Sequence, residues 1–62
     1  MTTKEMIGRY FENGNGIILI KDIHNEYIYD YVVCDINEDG NIIETEEPGY
    51  ITPGEIMHYQ EI

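Results

Sequence analysis

From Asp22 to Ile62 the chain carries eleven acidic side chains and no Lys or Arg. A fold built on this stretch must leave its carboxylates in water, on a cation or against a basic partner. The only counter-charges within the chain are Lys21, the N-terminal segment and a protonated histidine. Lys4, Arg9 and Lys21 all lie in the first third, and against thirteen acids they leave a formal net charge of −10. Self-repulsion at this density opposes compaction. Disorder would relieve it, yet 42% of the residues are hydrophobic and six tyrosines interleave with Ile and Val. The chain has the material for a core, with its charge arranged outside.

With 62 residues there is room for one acidic domain spanning 1–62. A domain this small buries only about 60% of the surface of its unfolded chain, so stability is marginal. Cys34 is the single cysteine, which excludes an intrachain disulfide and suits a reducing compartment. Residues 1–15 carry charges throughout and no apolar run of the secretory kind. The longest apolar run, Ile17–Ile20, is far short of the roughly 20 residues that span a bilayer. The expectation is a cytoplasmic protein with no membrane association.

The local pattern predicts an α+β chain: a short N-terminal helix, then a small antiparallel sheet or SH3-like barrel of about four to five strands. The helix is expected over 3–12, capped by Thr2 or Thr3, with Glu5 in its first turn and Met6, Ile7, Tyr10 and Phe11 as an apolar stripe. Asn13-Gly14-Asn15-Gly16 is expected to stop it. Strands are expected over Ile17–Ile23, Tyr27–Asp35 and Asn41–Glu46. His24-Asn25-Glu26 is read as a tight turn, and Asn37-Glu38-Asp39-Gly40 as a hairpin turn with Gly40 left-handed. Glu47-Pro48-Gly49 is expected to break the third strand, Thr52–Glu55 to make one helical or 3₁₀ turn, and Ile56–Ile62 to form a last short strand. The segment Gly49–Ile56 resembles the 3₁₀ turn before the last strand of SH3 domains, although their aromatic ligand groove has no counterpart here.

Asp35, Asn37, Asp39, Gly40, Ile42 and Glu46 fit the spacing of an EF-hand calcium loop. That loop lies between two helices, whereas here a strand-like segment precedes it and Pro48 forbids an exiting helix, so a plain hairpin is the preferred reading and calcium the alternative. His24, His58 and Cys34 match no metal-ligand spacing, and Cys34 beside Val32 and Val33 reads as a small packed hydrophobe. Pairs such as Glu46-Glu47 read as solvated acids rather than catalytic ones. Gly14-Asn15-Gly16 lacks the remainder of a phosphate loop. The chain is expected to be no enzyme and to need no cofactor or metal. Direct nucleic-acid binding is disfavoured, because it rests on Lys and Arg neutralising phosphate.

What remains is a basic partner, and the commonest strongly basic protein surfaces are those built for nucleic acid. Asp30, Asp35, Glu38, Asp39, Glu44, Glu46, Glu47, Glu55 and Glu61 are the candidate partner-binding residues. Alternation predicts Glu44 and Glu46 on one face of their strand, and Asp30 and Asp35 on opposite faces of theirs. Two residues along a strand span about 6.6 Å, close to the spacing of phosphates along a DNA strand.

In these features the chain resembles the DNA-mimic host-takeover proteins of bacteriophages: short, with clustered Asp and Glu on a β scaffold and no catalytic motif. Its size and charge are most similar to the inhibitors of the bacterial histone-like protein HU. The resemblance implies a dimer that occupies the DNA-binding surface of HU and competes with DNA. The departure from such a group is the basic spot of Lys4 and Arg9. A non-DNA protein-interaction module, binding for example by strand addition, is the further alternative.

Overall fold

The computed structural model describes residues 3–62, with the side chains of residues 3 and 4 left undescribed; the capping expected of Thr2 or Thr3 and the charge of Lys4 fall outside it. A single 3₁₀ turn, Thr3–Met6, precedes strands β1 (Tyr10–Glu12), β2 (Ile17–Asn25), β3 (Ile28–Ile36) and β4 (Ile42–Ile51). A four-residue helix, α1 (Pro53–Ile56), and strand β5 (Gln60–Glu61) complete the chain. The five strands form one antiparallel sheet in the order β4-β3-β2-β1-β5.

This corrects the expected helix-then-sheet α+β fold. No helix covers 3–12: Gly8 takes φ 89° and reverses the chain after the 3₁₀ turn. Its N–H donates to the Ile20 carbonyl at 2.8 Å, and the Ile20 N–H donates to the Arg9 carbonyl at 3.1 Å. Tyr10, Phe11 and Glu12 then pair with Leu19, Ile18 and Ile17. Asn13–Gly16 is the turn of this hairpin and not a helix stop. The Asn13 side-chain oxygen accepts from the N–H groups of Asn15 and Gly16 at 2.9 and 3.2 Å, fixing the turn. Nor does the ladder close into a barrel: β4 and β5 are its two edges, and no pairing joins them among the described residues.

The remaining boundaries follow from side chains at the turns. The β2–β3 turn falls at Glu26-Tyr27, one residue beyond the expected position, because Asn25 Oδ1 accepts from the Tyr27 and Ile28 N–H groups at 2.7 and 3.1 Å. Gly40 takes φ 84° in the β3–β4 loop. Glu47-Pro48-Gly49 does not end β4 but lies within it. Val32 pairs with Pro48 while Cys34 pairs with Glu44, so β4 carries a bulge there. Proline is tolerated because β4 is an edge strand. The last segment is mostly α1 and turn, and only Gln60–Glu61 pairs as a strand. Thr52 caps α1, its Oγ1 accepting from the Glu55 N–H at 3.2 Å.

One sheet face carries the main core: Phe11, Ile18, Ile20, Tyr29 and Ile51, with Ile56 of α1 packed in and Met6, Ile23, Tyr31 and Tyr59 around them. Ile20, fully buried, is its centre. Leu19 and Cys34 are buried on the other face, so central β2 is apolar on both sides over Ile18–Ile20. No helix among the described residues is long and apolar enough to cross a membrane.

Candidate partner-binding surface

β2 stops pairing with β3 at Cys34, opposite Ile17. Beyond that point β3 and β4 continue alone as a two-stranded arm, with Asp35 opposite Ile43 and Ile36 opposite Ile42. The arm is closed by a rigid loop. Asn37 N–H donates to the Asn41 carbonyl at 2.9 Å, and Asn37 Oδ1 accepts from the N–H groups of Asp39 and Asn41 at 3.0 and 2.9 Å. That oxygen stands at position 3 of the calcium reading, and the loop employs it instead to hold its own backbone. Among the described residues no group of three or more His, Cys, Asp or Glu side chains is arranged to hold a metal ion.

Six of the nine candidate acids lie on this arm and along β4. Asp35, Glu38 and Asp39 are exposed on the arm; Glu44, Glu46 and Glu47 are exposed on the edge strand. The bulge replaces the simple alternation expected of Glu44 and Glu46. Thr45 Oγ1 donates to the Val33 carbonyl at 2.8 Å and accepts from the Glu47 N–H at 3.2 Å, so β4 turns on Thr45 and does not continue its pleat. Asp30 lies further down β3, opposite Asp22 and Tyr50. Glu55 sits on α1 and Glu61 on β5, at the other edge of the sheet. The nine therefore do not form one continuous array.

Three of them meet a basic side chain within the chain. Lys21 Nζ lies 3.0 Å from Glu44, Arg9 Nε 3.6 Å from Glu61, and His24 Nε2 2.9 Å from Asp30. These partners are the ones the sequence allowed: Lys21, the N-terminal segment and a histidine. All three pairs are partly solvated, which limits each to about 0–1 kcal/mol. Asp35, Glu38, Asp39, Glu46 and Glu47 have no ion-pair partner among the described residues. Arg9 is turned to Glu61 on the edge opposite β4.

Two other reactive side chains, Cys34 and His58, are not part of this exposed acidic surface. Cys34 is buried, its thiol pKa raised by that burial and then by the Glu44 and Asp35 carboxylates, with Lys21 pulling the other way. His58 is exposed beyond α1.

Two features escaped the sequence reading. Asp22, on β2, stands directly opposite Asp30. A groove beside Tyr50 is lined by His24, Ile28, Tyr50, Ile51 and Thr52. The pairing of Asp22 with Asp30 depends on a bulge in β2 that no local pattern announces; the exposed Tyr50 after Pro48-Gly49 was the available signal for the groove. Comparison with protein-family models, curated proteins and solved structures returns no match, so the likeness to DNA-mimic inhibitors rests on residue character alone.

Proposed function

We propose that this protein is an acidic DNA mimic: it binds the basic DNA-binding surface of another protein and competes with DNA for it, without catalysis. The observation that carries this reading is the line of carboxylates at Asp35, Glu38, Asp39, Glu46 and Glu47. Asp35, Glu38 and Asp39 stand exposed on the hydrogen-bonded arm and Glu46 and Glu47 on the edge strand below it, none with an ion-pair partner among the described residues. Charges held by a sheet need not be ordered at the moment of binding, so more of their attraction appears as affinity. Their repulsion is relieved when Lys and Arg side chains of a partner approach, and the same field steers the encounter. A homodimer paired through the terminal strand would double the array.

Histone-like HU is the first partner to test, in keeping with a phage protein acting in the host cytoplasm or nucleoid. Labelled duplex DNA bound to HU is titrated with the protein while anisotropy is followed at about 50 and 300 mM salt, conditions that screening separates. The expected result is release of DNA at low salt, direct binding to HU and no binding to DNA. No release at either salt removes HU as the partner, and binding to free DNA sinks the mimic altogether.

A further inference from the structure

The groove beside Tyr50 has a volume of about 390 Å³ and opens where β2 turns into β3. Its walls are Ile28, Ile51, Thr52 and the rings of His24 and Tyr50, whose centroids lie 5.7 Å apart. Tyr50 is 71% exposed. The groove is apolar surface within an otherwise acidic region. Carboxylates lie in the adjoining hollows: His24 also borders that of Asp22 and Glu26, and Tyr50 that of Asp30 and Lys21. Asp22, Asp30 and Tyr50 lie in register across three adjacent strands. Like charges directly opposite one another are destabilising. Only the imidazole of His24 is set against Asp30, while Lys21 is turned to Glu44.

We propose that this groove takes an aliphatic side chain of a basic protein segment, whose flanking Lys or Arg residues meet Asp22, Glu26 and Asp30. The inference rests on the basic-partner reading above and adds an anchor to it. Charge alone attracts every cationic surface, whereas a buried apolar anchor ringed by polar contacts concentrates binding energy at one point. The occupant follows from charge complementarity: an anionic or neutral segment would bring no counter-charge to the facing aspartates, and a second copy would bring its own Asp22 and Asp30 against them.

Two probe peptides test this on the ¹⁵N-labelled full chain: an octalysine interrupted by a central leucine, and the same peptide with glycine in that place. Burying a leucine side chain should make the leucine peptide bind roughly tenfold tighter or better at about 150 mM salt. Its shifts should centre on Ile28, Tyr50, Ile51 and Thr52. Tyr50→Ala should abolish that advantage and leave the affinity for the glycine peptide unchanged. The spectrum reports whether the variant is folded, and Ile28→Ala gives a second reading. Equal affinity of the two peptides overturns the anchor, as does a leucine advantage that survives both substitutions. Groove resonances that shift on dilution without peptide identify a second copy as the occupant and overturn it too. If neither peptide binds at about 50 mM salt, the basic-partner reading itself fails, and the anchor with it.

Discussion

Cys34 is 3% exposed near the end of β3, where pairing with β2 stops and the acidic arm begins. Burial, then Glu44 and Asp35, raise its pKa, against a smaller opposing effect of Lys21. The thiolate is the reactive form, so the native thiol is protected twice, by access and by protonation. The sign for stability follows. The folded pKa lies above the unfolded one, so the contribution is complete below the ordinary thiol value and is lost as pH rises through the raised one. Between pH 7 and about pH 10, across the ordinary thiol value, the urea midpoint of the parent protein should fall further than that of Cys34→Ala. Every other group is common to both chains, so the difference between them reports the thiol. Parallel falls would remove the linkage. Iodoacetamide should label Cys34 only after denaturant is added, and rapid labelling of the native protein would contradict the burial.

At the scale of elements, β4 depends on what its middle lacks. Gly49 pairs with Tyr31, whose ring lies over it so closely that a Cβ on Gly49 would overlap the end of the ring. Tyr31 packs against the core from there. Gly49→Ala should therefore displace the ring and cost about 1–3 kcal/mol, the range for overpacking, read as a lower urea midpoint at unchanged slope. Combined with Tyr31→Ala, the added cost of the alanine should largely vanish. Full additivity in the double mutant would place the cause elsewhere. The same strand marks the limit of what its residues disclose. Pro48-Gly49 is an ordinary strand-breaking signal, and only the edge position of β4 with the bulge at Thr45 lets the strand pass through it. Tyr27–Asp35 was legible because β-branched and aromatic residues run together, and β3 covers nearly that span. Residues 3–12 misled because Met6, Ile7, Tyr10 and Phe11 also suit a helix. The overlooked competitor was the Asn-Gly pair followed by Ile17–Ile20, which offers Phe11 a partner in Ile18 at the cost of one short turn. Acid placement was legible for Asp30 and Asp35 on an unbroken strand, and illegible for Glu44 and Glu46 across a bulge.

For the whole molecule, one charge distribution governs two free energies of opposite sign. A net charge of −10 on a domain whose long axis is 36 Å opposes folding, and the partly solvated ion pairs at Arg9 and Lys21 offset little of it. Added salt screens that repulsion, so raising it from about 50 to 300 mM should raise the melting temperature by several degrees, each kcal/mol being worth about 4–8 °C in a domain of this size. The same screening should weaken attraction to a basic partner. Glu46→Gln with Glu47→Gln separates this reading from one in which the acids of the β4 edge only blunt strand pairing. The two residues stand at the bulge without an ion-pair partner among the described residues. Their neutralisation should stabilise the folded chain at low salt by up to about 1 kcal/mol, the scale of exposed charge interactions. It should also weaken binding to HU severalfold and flatten its salt dependence. If the acids serve the edge alone, the double variant should bind as the parent does and show its loss as self-association, which sedimentation at rising concentration detects. A variant both more stable and unchanged in affinity and in mass would leave the β4 carboxylates with neither role.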